Sequence, residues 1–146
     1  MSGVIVGVDG SGHSQRALEW AIREAALRQT TLTVLAVHQA VAGYRGDAVD
    51  YPGDKPATEH AREAAQTETD KVLEAIGGQR PSEVAVKALN GLPAAELIRA
   101  SEDAEMIVLG SRGTGGFARL LMGSVSTQVT HHAKCPVVII PADNRQ

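Results

Sequence analysis

Short apolar runs alternate with longer amphipathic stretches along most of the chain. Residues 4–8 (VIVGV) form a β-branched run that is apolar on both faces, which is typical of a buried parallel strand. The stretch after it places apolar residues at helical spacing, namely Ala17, Leu18, Ala21, Ile22, Ala25 and Ala26. The same pattern predicts strands at 31–38, 82–89, 104–110 and 135–142, and helices at 57–76, 94–103 and 124–134. Strict alternation of strand and helix predicts an α/β domain with a parallel sheet covered by helices on both faces.

Residues 40–56 interrupt this rhythm. They hold three glycines and two prolines and show no clear period. The segment is longer than most connections in a compact domain, so we predict a long flexible loop there. Because it has few apolar anchors and no period, we also expect it to exchange amide hydrogens quickly without ligand, and it is a candidate surface for partners.

Two glycine-bearing turns follow predicted strands, at 9–12 and at 110–116. In open parallel sheets, ligands bind beyond the carboxyl ends of the strands, where the winding of the chain reverses. If the first and fourth strands are neighbours, both turns line one crevice. The sequence therefore indicates a binding site between these turns.

The second of these turns has an unusual composition. Residues 110–124 (GSRGTGGFARLLMGS) contain five glycines, Arg112 and Arg119, and no carboxylate. A flexible surface turn with positive φ is the ordinary explanation for glycine. Here the cluster lies between an apolar strand and a helix that starts near Ser124, where backbone N–H groups and the helix dipole favour an anion. Ser124 can cap that helix or offer its hydroxyl to a phosphate.

Common phosphate motifs do not fit. The chain has no G-x-x-x-x-G-K-[ST] segment. A dinucleotide fingerprint also fails, because Gln15 stands where its third glycine belongs and His38 and Gln39 replace the acidic residue after the second strand.

Composition narrows the class of protein. A chain of 146 residues with 43% apolar and 21% charged residues is typical of one soluble globular domain. The net charge of −3 and the lack of a basic run argue against nucleic acid. Cys135 is the single cysteine, no run approaches a membrane span, and the first residues do not resemble a signal peptide, so we expect a cytoplasmic domain.

The histidines and the cysteine give little indication of a reactive or metal-binding site. His131 and His132 are adjacent, whereas metal ligands on a helix usually lie three or four residues apart, so we expect no metal site built from protein side chains. Cys135 is interpreted as a small buried hydrophobe rather than a nucleophile.

The spacing Gly110-x2-Gly113-x9-Gly123-Ser124 resembles the ATP-binding signature of the universal stress protein family. Residues 4–21 are similar to that family's opening strand, Asp-Gly-Ser turn and Ala-rich helix, and residues 131–141 are similar to its closing strand. The resemblance covers nearly the whole chain. It implies a single domain over residues 1–146, a Rossmann-like sandwich whose five-stranded parallel sheet has the order 3-2-1-4-5.

The resemblance also implies a set of nucleotide-binding residues. Asp9 matches the acidic contact to ribose or to Mg²⁺ on the phosphates, although an Asp after a strand often only caps a turn. Val37 matches the backbone contact to adenine, and Arg112 is added here for its charge alone. The full set is Gly7, Val8, Asp9, Val37, Leu109, Gly110, Ser111, Arg112, Gly113, Gly123, Ser124, Val125 and Ser126.

From this resemblance we expect an ATP-binding stress-response module rather than an enzyme. A slow ATPase or nucleotidyl transferase on the same fold remains open, as does a family member that acts only through partner contacts. The apolar last strand, with Val137, Val138, Ile139 and Ile140, predicts a homodimer through the sheet edge.

Overall fold

Five strands and four helices alternate along the chain in the computed structural model, which describes residues 2–10, 12–38, 54–111 and 123–141. The elements are β1 (Ser2–Val8), α1 (Gly12–Arg28), β2 (Thr31–His38), α2 (Asp54–Ile76), β3 (Glu83–Asn90), α3 (Pro93–Ser101), β4 (Ala104–Gly110), α4 (Ser124–His132) and β5 (Val137–Ile140).

The strands form one parallel sheet in the order β3-β2-β1-β4-β5, which confirms the expected topology. β1 lies in the centre, where Ile5 is in register with Thr33 of β2 and with Ile107 of β4. The chain winds from β1 toward one edge and then returns to build the other edge from β4. The switch in direction therefore falls between β1 and β4, where such sheets bind ligands.

The two faces of the sheet have separate apolar cores. Side chains alternate between faces along a strand, so Val4 and Val6 of β1 pack toward α1 and α2, whereas Ile5 packs toward α3 and α4. The predicted apolar stripe of α1 is 3% exposed or less at every position, as expected for a helix pressed onto the first core. Val129 of α4 and Leu97 of α3 fill the second core.

Element boundaries shift where proline intervenes. α2 begins at Asp54 instead of 57, because Pro56 then lies in the first turn, where its missing N–H breaks no helical hydrogen bond. The last three residues of the predicted loop 40–56 are therefore helical, while residues 40–53 lie outside the described part of the chain. β5 is shorter than predicted, since Pro136 and Pro141 flank it and cannot donate to the ladder. No helix in the described ranges is long and apolar enough to cross a membrane.

Candidate functional site

The carboxyl ends of β1, β2 and β4 open onto a cavity of about 710 Å³. The first turns of α1 and α4 and the facing sides of α2 and α3 complete its wall. Such a volume lies within the usual range for small-molecule sites. Its position at the point where the winding reverses is the one expected for a ligand of this fold.

Most of the predicted binding residues line this cavity. They are Gly7, Val8, Asp9, Val37, Leu109, Gly110, Gly123, Ser124, Val125 and Ser126. Ser111 is 5% exposed and is not among the lining residues; it is hydrogen-bonded to Ile140 and Gly123. Arg112 and Gly113 lie outside the described residues. Three strand ends and a helix start, far apart in sequence, thus line one cavity.

Gly7 shapes an apolar wall of the cavity. A Cβ at this position would lie 2.8 Å from Cδ2 of Leu109 and 3.3 Å from Cδ2 of Leu97. Glycine therefore lets these two side chains close over the end of β1. Together with Leu35 and Val37 they form a surface that can accept a flat apolar group such as an aromatic base.

A tight turn joins this wall to α1. Gly10 has φ +84°, a left-handed conformation in which side chains are strained. Two residues past the start of α1, the buried Ser14 accepts a hydrogen bond of 3.3 Å on Oγ from the backbone N–H of Asp9. The turn is thereby fixed by a backbone group of Asp9, and the residue itself lies exposed on the cavity rim.

The start of α4 faces the same cavity. Gly123 is the N-cap residue, with φ −76° and ψ 172°, and no side chain among the described residues caps the helix. The interpretation of Ser124 as the cap was therefore wrong: Ser124 is the first helical residue and its side chain is exposed. A helix end without a side-chain cap leaves its first N–H groups for other partners, and these groups favour anions.

A hydrogen-bonded neck holds α4 against the end of β4. The N–H of Gly123 donates to the carbonyl oxygen of Ser111 at 2.5 Å. The hydroxyl of Ser126 donates to the same oxygen at 3.2 Å and to the carbonyl oxygen of Gly123 at 3.1 Å. The N–H of Ser111 donates to the carbonyl oxygen of Ile140 at 2.9 Å, so the neck is also hydrogen-bonded to β5.

Several lining residues were missed from the sequence. They are Gly10, Ser14, Gln15, Leu18, Leu35, Ala36, His38, Ala61, Ala64, Ala65, Glu68, Pro93 and Leu97. Most belong to the halves of α1, α2 and α3 nearest the carboxyl edge. Their place in the fold was the available signal, since helices that follow strands begin beside that edge. Glu68 adds a second carboxylate to the wall, where Asp9 alone was expected.

His38 connects α2 to the cavity. Its Nε2 lies 2.8 Å from Oγ1 of Thr58 in the second turn of α2. Its carbonyl oxygen accepts a hydrogen bond of 2.9 Å from the N–H of Gly91, just after β3. His38 thus connects the end of β2 to α2 and to the turn after β3. Dinucleotide-binding sites carry an acidic residue at this position, at the end of the second strand.

Other reactive groups lie apart from this wall. Burial raises the pKa of the Cys135 thiol, so the protonated form is favoured. Within the described ranges, no three side chains of His, Cys, Asp or Glu are grouped so as to hold a metal ion.

Comparison with known proteins gives one consistent family. A sequence model described as the universal stress protein family matches residues 1–141. A universal stress protein of Mycolicibacterium smegmatis is 35% identical over 150 residues, which cover 98% of this chain and 49% of that protein. The chain therefore spans about half the length of the curated relatives it matches.

Solved structures share the fold. The universal stress protein UspA from Lactobacillus plantarum superposes with a TM-score of 0.75 at 25% identity, covering 95% of this chain and 97% of that one. The universal stress protein from Archaeoglobus fulgidus, solved in complex with dAMP, gives a TM-score of 0.56 at 24% identity, covering 96% of this chain and 98% of that one.

Proposed function

This chain belongs to the universal stress protein family, and we propose that it binds ATP in the carboxyl-edge cavity and acts as a nucleotide-responsive stress module in the cytoplasm. One observation carries the proposal: an apolar wall beside Gly7 and a helix start at Gly123, which has no side-chain cap from the described residues, line the same cavity. A nucleotide needs both, one for its base and one for its phosphates.

The apolar wall suits adenine. Leu97, Leu109 and Val37 line the cavity from three elements, and the backbone of Val37 would contact the base. The dAMP complex of the Archaeoglobus fulgidus protein supports an adenine base as the ligand of this fold. A mostly apolar pocket with a few polar groups is typical of cofactor sites.

The polar side of the cavity suits the phosphates. The first N–H groups of α4 and the exposed hydroxyl of Ser124 would donate to phosphate oxygens, aided by the positive end of the helix dipole. Arg112 and Gly113 would complete the contacts. Asp9, on the rim, would contact ribose or an Mg²⁺ ion carried by the phosphates.

Binding of ATP is tested by calorimetric titration with ATP, AMP and cyclic AMP. We expect micromolar affinity for ATP, equivalent to about 8 kcal/mol. A Leu27→Lys variant is a matched control, since Leu27 is 73% exposed on α1 and does not line the cavity. It should bind ATP like the wild type. Absence of heat at millimolar ATP would refute the proposal.

We propose further that ATP is held rather than turned over. Donors that bind ground state and transition state equally lower Kd without raising kcat. The rival function is a slow ATPase, and Glu68 is the specific observation that favours it, because hydrolysis needs a group that orients water.

Single-turnover hydrolysis with excess protein and Mg²⁺ separates the two functions. We expect events that take minutes to hours, far below the ~10 s⁻¹ typical of enzymes. A rate near one per second that is lost in Glu68→Gln or Asp9→Asn would establish the enzyme instead.

We also propose a homodimer through β5. This strand is the sheet edge beyond β4, and Val137, Val138 and Ile139 are only partly buried. An apolar edge strand is a template for pairing with a second copy. Light scattering should find a dimer for the wild type and a monomer for Val138→Arg. A monomeric wild type at micromolar concentration would exclude this assembly.

A further inference from the structure

Two serines two residues apart on α4 have opposite environments. The side chain of Ser124 is exposed, whereas Ser126 is 3% exposed. Residues two apart on a helix point about 200° apart, so the two hydroxyls leave the helix on nearly opposite sides. Their similar sequence context, Ser-Val-Ser, gives no sign of this difference.

The buried hydroxyl already has partners. A serine hydroxyl carries one proton to donate, and that of Ser126 points between the carbonyl oxygens of Ser111 and Gly123, at 3.2 and 3.1 Å. To donate to a phosphate it would have to abandon both oxygens in a buried region, which is unfavourable. Ser126 therefore differs from a phosphate ligand in both burial and bonding.

Those two carbonyl groups define the geometry of the helix start. Ser111 directly follows the last residue of β4, and Gly123 is the N-cap residue of α4. The hydroxyl reinforces the hydrogen bond from Gly123 to Ser111. Backbone N–H groups bind an anion well only when they are held pointing toward it. A loosened neck would let their positions vary and would therefore weaken anion binding.

From these contacts we propose that Ser126 is a positioning residue that closes the neck between Ser111 and Gly123, and so aims the N–H groups of α4 at the phosphates without touching them. The inference rests on the proposed ATP site. Ser126 then has a structural role instead of a direct contact with the nucleotide, and Ser124 supplies the hydroxyl that contacts phosphate.

Three variants test this assignment: Ser126→Ala, Ser126→Thr and, as the matched control, Ser124→Ala. The first readout is hydrogen exchange of the Gly123 amide in the ligand-free protein. Ser126→Ala should speed it about tenfold relative to amides of β1. Ser124→Ala should leave it unchanged, and Ser126→Thr should restore protection, because threonine on a helix also bonds a carbonyl three or four residues back.

The second readout is affinity for ATP and for adenosine. Ser126→Ala should weaken ATP about tenfold while adenosine changes less than about twofold, since only phosphates use the helix start. A variant that is merely less stable would not separate the two ligands. Ser126→Thr should regain the ATP affinity.

Unchanged Gly123 exchange with weakened ATP in Ser126→Ala would overturn the inference, because that combination marks a direct ligand contact. Unchanged exchange and unchanged affinity would overturn it as well. If the wild type binds no ATP, the proposed function fails separately, and the exchange of Gly123 in the free protein still decides whether Ser126 closes the neck.

Discussion

The two ends of the sheet differ: the amino end is closed by hydrogen bonds within the protein, and the carboxyl end is open. At the amino end, Gly3 donates a hydrogen bond of 3.0 Å to Oγ1 of Thr31, and Thr30 donates one of 3.0 Å to Glu105 and accepts one of 3.0 Å from Ser82. Backbone and side-chain groups there are paired within the protein. At the carboxyl end the same strands open onto a cavity of about 710 Å³.

Some of the connections at the two ends differ in length. α1 ends at Arg28 and β2 starts at Thr31, and α3 ends at Ser101 with β4 starting at Ala104, so the turns that enter these strands are tight. The connections that leave β2 and β4 are far longer, since α2 starts at Asp54 and α4 at Ser124. Tight turns close the amino end around these strands, whereas the carboxyl ends of β1, β2 and β4 line the cavity at the other end.

Gly3→Val should give the largest effect and act on stability alone. A Cβ at Gly3 would lie 2.4 Å from Oγ1 of Thr30 and 2.5 Å from the carbonyl oxygen of Thr31, so the backbone must move. We expect the free energy of unfolding to fall by about 2–3 kcal/mol in urea denaturation. The remaining folded protein should bind ATP normally; a loss below about 0.5 kcal/mol would show that the amino end is not tightly packed.

Gly123→Val should give the next largest effect, and it should act on ATP affinity and not on stability. Valine tolerates the extended conformation of Gly123, so the free energy of unfolding should change by less than about 0.5 kcal/mol. Its side chain would obstruct the phosphates, and calorimetry should find ATP weakened at least about tenfold, or 1.4 kcal/mol. Wild-type affinity in a folded variant would remove the helix start from the site.

Gly10→Ala, at the carboxyl end, should destabilise the protein less than Gly3→Val at the amino end. Apart from its chain neighbours, no atom of the described residues lies within 4 Å of a Cβ placed at Gly10, so we expect the cost to come from its φ of +84°. We expect a loss of about 1 kcal/mol in urea denaturation. A loss as large as that of Gly3→Val would mean that the carboxyl end is as closely packed as the amino end.

The smallest effect concerns the Cys135 thiol, which precedes β5 at the amino end of the sheet. Because burial raises its pKa, less thiolate is present near neutral pH, and iodoacetamide should alkylate the folded protein several-fold more slowly than the chain in urea. The raised pKa also means that the thiol's contribution to stability is full at neutral pH. It declines as pH rises through the ordinary thiol range. Equal alkylation rates would contradict this protection.

Much of the fold, and the end of the sheet at which the cavity lies, could be predicted from the sequence. The apolar stripe of α1 and the bounds of β4 follow from periodicity, and the glycine spacing after β4, through its family resemblance, indicated the site. Glu68 and the alanines of α2 could not be assigned to the cavity, because residues 40–56 carry no period that orients the following helix. Nor could the burial of Ser126, which depends on how the end of β4 packs against α4.

The most direct test of the account is an amide NMR titration of isotopically labelled protein with ATP. We predict shifts concentrated at the carboxyl end, at Gly7, Val37, Gly110 and Gly123, and saturating together. Gly3, Thr30, Ser82 and Glu105 at the amino end should stay unchanged. Shifts centred on the amino end, or no shifts at saturating ATP, would contradict the claim that the open end of the sheet is the nucleotide site.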